Sequence, residues 1–96
     1  MDISKQIAAE LKLKQWQVYN VIALIDEGNT IPFISRYRKE ATGELSDEVL
    51  REFDERLKYL RNLNQRKEDV KRIIEEQGKL TPEIAEAIDD AVKLTE

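Results

Sequence analysis

Arg36, Tyr37, Arg38 and Lys39 stand consecutively and join three cations to an aromatic ring. Guanidinium and ammonium groups neutralise phosphates, and a phenol ring can stack on a base, so these four are candidate nucleic-acid contacts. A plainer arrangement is also open: Phe33, Ile34 and Tyr37 pack inward while the cations pair with Glu40 or Glu44. Residues 1–45 carry six basic and six acidic groups, which weakens long-range attraction of phosphate. A second candidate is a basic helix surface made of Arg56, Lys58, Arg61, Arg66, Lys67, Lys71 and Arg72. Its alternative is a solvated face with helical ion pairs such as Glu52–Arg56, Asp54–Lys58 and Glu68–Arg72. Catalysis has little material. The adjacent acids Glu75–Glu76 and Asp89–Asp90 point in different directions on a helix, so neither pair converges on a substrate. With no histidine, no cysteine and no glycine-rich phosphate loop, the expectation is no enzyme, no metal and no cofactor.

The elements that position these residues are helices. Gly28, Gly43 and Gly78 each follow a helix-period segment, where a left-handed C-cap is wanted. Pro32 and Pro82 sit in first turns, and Ser46 and Thr81 stand as N-caps before acids. No sustained two-residue alternation suggests a strand. An all-α fold of about five helices follows, spanning roughly 3–12, 15–27, 32–40, 46–77 and 82–95. Residues 1–45 form a helix-turn-helix-like part of three helices, and 46–96 a long helix plus a C-terminal helix packing back as a hairpin, all in one domain. Trp16, Tyr19, Ile22, Ile25, Phe33 and Ile34 are assigned to the core, and the second helix is read as the most buried.

The fourth helix carries Leu50, Phe53, Leu57, Leu60 and Leu63 at three- and four-residue steps, then Val70, Ile73 and Ile74. Thirty-two helical residues reach about 48 Å, against roughly 30 Å for a compact chain of this size. It therefore breaks near Asn62–Asn64 or runs on, and a continuous helix pairing with the last one is favoured. Residues 64–69 hold no apolar side chain and are expected outside the core.

The chain has 96 residues, is 38% charged and has a net charge of −4. That average conceals +5 over residues 56–72 and −5 over 73–96. Its longest apolar run, residues 21–25, is far short of a membrane span, so a cytoplasmic protein with no membrane partner is expected.

The string TIPFISRYRKEATG at 30–43 resembles the N-terminal domain of the Tex family of bacterial transcription accessory proteins. WQV at 16–18, LIDEG at 24–28, ERLKYLR at 55–61 and IEEQGKLTPEI at 74–84 extend the resemblance over essentially the whole chain. It implies a fragment of a longer protein that continues with a catalytically inert RNase-H-like domain, helix-hairpin-helix elements and an OB-fold RNA-binding domain. The partners so implied are the remaining domains of the parent and, through the full-length protein, RNA or DNA. No catalytic residue carries over. The expected function is a helical scaffold and interaction domain; the alternative is a helix-turn-helix module that binds nucleic acid itself through Arg36, Arg38 and Lys39. An isolated fragment with an uncovered apolar strip would also self-associate artefactually.

Overall fold

The computed structural model describes residues 2–91. Six helices are present: α1 (Ile3–Leu11), α2 (Gln15–Asp26), α3 (Ile31–Tyr37), α4 (Lys39–Thr42), α5 (Asp47–Glu76) and α6 (Pro82–Asp90). The described residues contain no strand. Two compact units divide the chain, one covering Asp2–Lys58 and the other running from Tyr59 onward.

Local chemistry sets most boundaries. The Asp2 carboxylate accepts from Lys5 N at 3.2 Å, and the Thr30 and Thr81 hydroxyls accept from Phe33 N and Ile84 N at 3.3 and 3.2 Å. Ser46 Oγ takes Val49 N at 3.3 Å, so the two caps expected at Ser46 and Thr81 both form. Gly43 and Gly78 adopt φ of 71° and 70°, as helix ends require. The one helix expected over 32–40 is instead two. Arg38, at φ −128° and ψ 36°, leaves helical geometry and separates α3 from α4. α5 is unbroken through Asn62–Asn64.

In the Asp2–Lys58 unit, α2 packs on α1 and α4, and α4 on α3. Ile7, Val18, Val21, Leu24, Ile34, Leu50, Phe53 and Leu57 are buried, each stabilising by about 1.5–3 kcal/mol relative to exposure. Glu10 and Arg56 tie α1 to α5, with Arg56 Nη2 donating to Glu10 Oε2 at 2.8 Å.

The core assignment needs correcting at three of six positions. Ile34 is fully buried and Ile22 and Ile25 are half-buried, but Trp16, Tyr19 and Phe33 are exposed. Val18, Val21 and Leu24 define the inward side of α2, and 100° per residue carries Trp16 and Tyr19 to the opposite side. The side of α2 that carries Trp16 and Tyr19 is thus the less covered one.

The unit from Tyr59 onward pairs the far half of α5 with α6. Leu60 and Leu63 are buried, and so is Lys67, correcting both its place on a basic surface and the expectation for residues 64–69. Lys67 continues the stripe four residues after Leu63 and three before Val70. Its ammonium donates to the Asp89 carbonyl at 2.8 Å, one of the orphan acceptors at the end of α6. Lys71 Nζ bonds the Asp89 carboxylate at 2.9 Å. Ile73, on the apolar stripe of the long helix, is exposed at 50%, and Ile84 on α6 at 38%. Val92 and Thr95, expected on the last helix, lie outside the described residues.

Two carboxyls make this packing acid-sensitive. Lys71 holds the Asp89 carboxyl below its ordinary 3.8, and Arg56 holds that of Glu10 below 4.5. A depressed folded value means the unfolded chain binds more protons, so the contribution is present above those ordinary values and lost as pH falls through the folded ones. Urea unfolding at pH 6, 4 and 3 should show stability dropping over both steps, and more steeply over the second. Glu10→Gln should be less stable at pH 6 and flatter in its pH dependence; equal slopes in variant and parent would contradict the Arg56 pairing.

Candidate functional site

α2 fixes the surface that bears the candidate cations. Its Gln17 and Asn20, one helical step apart, donate to the carbonyls of Thr42 and Ala41, each at 2.9 Å. Those carbonyls end α4 and lack helical partners, so two side chains from α2 clamp it in place. The Gln17 carbonyl oxygen also accepts from Lys14 N at 3.0 Å, which fixes the amide's orientation. Thr42 is fully buried; its hydroxyl donates to Lys39 O and accepts from Leu45 N, both at 3.3 Å.

Upon this clamp Arg36, Tyr37, Arg38 and Lys39 are all exposed. Arg38 reaches Glu40 at 3.9 Å, an exposed pair worth little. Among the described residues Arg36 and Lys39 have no side-chain partner. Phe33 and Tyr37, one turn apart on α3, place their ring centroids 5.2 Å apart at 48°. They are exposed at 43% and 61%. Between Glu27 and Glu40 there is no acidic residue, so the segment is locally cationic even though residues 1–45 are neutral.

The helix surface read from Arg56 to Arg72 is engaged in most of its length. Arg56 bonds Glu10, Lys58 bonds Asp54 at 2.9 Å, and Arg72 meets Asp69 at 3.5 Å. Lys71 is shared between Glu68 and Asp89, both at 2.9 Å, which holds its ammonium pKa above the ordinary 10.5. Lys67 is buried; Arg61 and Arg66 are exposed. The structure therefore does not bring the seven together as one uncommitted face.

A further surface escaped the sequence reading. Residues 15–25 contain no charge in a chain that is 38% charged, yet Trp16 and Tyr19 on that helix are exposed at 47% and 55%. The breadth of apolar positions on this helix reads as burial, and the absence of charge is the sequence signal that marks the surface. No helix among the described residues is long and apolar enough to cross a membrane.

Residues 1–75 match the family model described as the Tex-like protein N-terminal domain. The chain is 49% identical over 94 residues to the uncharacterized protein YdcI of Bacillus subtilis, covering 98% of this chain and 13% of that protein. It is 48% identical to the transcriptional accessory protein Tex of Neisseria gonorrhoeae, covering 95% of this chain and 12% of Tex. A more distant relative, the human S1 RNA-binding domain-containing protein 1, is 32% identical over 80 residues, 83% of this chain and 8% of that protein. The chain thus spans about an eighth of the length of the bacterial relatives.

Proposed function

Since the chain belongs to the Tex-like N-terminal domain family, we propose that it is a helical scaffold and interaction domain of a transcription accessory protein, docking onto other parts of the same polypeptide. One observation carries this reading: the outer side of α2 presents Trp16 and Tyr19 half exposed on a helix uncharged from Gln15 to Ile25. Exposed aromatics on an uncharged surface have the composition of an interface centre. The length of the bacterial relatives supports a covering segment in the same protein. The reading gives this domain no catalytic step and a cytoplasmic setting, with RNA contact made by the full-length protein.

Trp16 is the only tryptophan, so its emission reports on this surface directly. Adding the polypeptide that follows the domain in its parent should shift the emission to the blue. Trp16→Ala, followed by calorimetry, should weaken that association by about 30-fold or more, the size of an interface hot spot. Unchanged emission at saturating partner would remove α2 as the docking side.

A second reading, nucleic-acid contact by the domain itself, is favoured by the cationic segment 28–39 and the exposed ring pair on α3. In the helix-turn-helix version of this reading, α2, the Gly28 turn and α3 form the motif and Arg36, Arg38 and Lys39 meet phosphates.

A further inference from the structure

We propose that α3 is a stacking platform for single-stranded nucleic acid, with bases on Tyr37 and Phe33 and phosphates on Arg36 and Lys39. The proposal rests on the second reading above and specifies the kind of strand. Ring exposure is the first argument. Burial of both rings would stabilise the fold, yet Tyr37 keeps 61% and Phe33 43% of its surface open, and they lie one turn apart with centroids 5.2 Å from each other. Each supports the other's orientation, and aromatic faces accept any base whose own face is free.

Charge is the second argument. Arg36 lies three residues after Phe33 and therefore on the same side of α3. Neither it nor Lys39 is neutralised by a side chain among the described residues, and no acid intervenes between Glu27 and Glu40. A phosphate beside a stacked base would find Arg36 and Lys39 within one acid-free stretch of sequence. Lysine is depleted at the centres of protein interfaces, whereas arginine and aromatic rings are common to both kinds of site, so Lys39 is the residue that favours a polyanion here. The uncharged side of α2 has the contrasting composition.

The third argument separates single strands from duplex. A recognition helix enters the major groove with its first residues against base edges. The first turn of α3 offers Ile31, Pro32 and Phe33, none of which can hydrogen-bond a base edge, and the Thr30 hydroxyl already caps the helix at Phe33 N. α3 is also only seven residues long before Arg38 interrupts it, about 10 Å of helix. Stacking needs no such edge contacts, but it needs unstacked bases, which a duplex does not present.

Fluorescence anisotropy with labelled 12-mers of oligo(U) and oligo(dT), and a 12-base-pair duplex of mixed sequence, tests this at 50 and 200 mM salt. Both single strands should bind more tightly than the duplex; oligo(U) against oligo(dT) tells whether RNA or DNA is preferred. Tyr37→Ala should weaken single-strand binding about tenfold, while Tyr37→Trp, which keeps a stacking face, should retain it. The two cations predict a log–log salt slope of about −1.4, reduced by about 0.7 in Arg36→Ala. Circular dichroism shows whether each variant keeps its helices, and Tyr37→Trp carries the test if Tyr37→Ala does not. Duplex binding as tight as single-strand binding, sensitive to Arg36 but not to Tyr37, would overturn stacking and leave the nucleic-acid reading standing. Binding that survives both Arg36→Ala and Tyr37→Ala would move the contact off α3. No binding of any nucleic acid at 50 mM salt would overturn both the platform and the reading beneath it. Loss of association with the rest of the parent polypeptide in Tyr37→Ala, without nucleic-acid binding, would make α3 a protein-docking surface instead.

Discussion

Phe53→Ala is expected to lower the unfolding free energy by about 3–5 kcal/mol. Phe53 is fully buried in the Asp2–Lys58 unit, between Leu50 and Leu57 on the inward stripe of α5. Truncation removes the transfer energy of a whole ring and leaves a cavity that helices of this size fill only partly. For a chain this long the total stability is of the order of 5–14 kcal/mol, so the loss takes at least about a fifth of it and at the low end all of it. Phe53→Leu keeps most of the volume and should cost under about 2 kcal/mol. Ile73→Ala, at a side chain already half exposed, should cost less still. Trp16 lies in the same compact unit as Phe53, so urea unfolding followed by its emission reads the relevant transition. A cost below 1 kcal/mol for Phe53→Ala would mean that this stripe is not the core.

Legibility differed sharply between kinds of feature. The caps at Thr81 and Ser46 and the turns at Gly43 and Gly78 were readable because each depends on one residue and its nearest neighbours. The continuity of α5 was readable from an apolar stripe with no glycine or proline to interrupt it. The break at Arg38 was not, because SRYRK at 35–39 contains no breaker. What accompanies the break is distant in sequence: Gln17 and Asn20 hold Thr42 and Ala41 from 25 and 21 residues away. The apolar residues of α2 cover more than one stripe and do not say which side has a neighbour, so apolar character alone places Trp16, Tyr19 and Phe33 inside. Lys67 shows the converse. Its position continues the stripe from Leu63 to Val70, but its charge argued for solvent, and only the Asp89 carbonyl at the end of α6 explains why it is buried. The candidate cations Arg36 and Lys39 were legible as residues. Their lack of a side-chain partner was not, because the fold sets Glu40 beside Arg38 instead.

Gly43→Ala is expected to cost about 2–3 kcal/mol, more than the same change at either other glycine. Gly43 holds φ at 71°, which penalises any side chain by about 1–2 kcal/mol. Gly28 and Gly78 share that penalty, with φ of 92° and 70°, but an added Cβ there meets nothing within 4 Å. At Gly43 the Cβ would stand 2.5 Å from Gln17 Nε2 and 3.1 Å from Trp16 Cη2. The Gln17 amide can swing away only by giving up its 2.9 Å bond to Thr42 O, a further loss of about 1 kcal/mol. Gln17→Ala removes both the obstruction and the bond, so the double variant should be about 1 kcal/mol more stable than the sum of the single changes predicts. Trp16 emission should change in Gly43→Ala and stay constant in Gly28→Ala and Gly78→Ala, because only Gly43 lies against the indole. The consequence reaches the candidate site, since the same Gln17 bond anchors α4 beneath Arg38 and Lys39. If Gly43→Ala cost no more than Gly28→Ala, Gln17 would be yielding freely, and the cations on α3 and α4 would owe their placement to Asn20 and the local turns rather than to a clamp from α2.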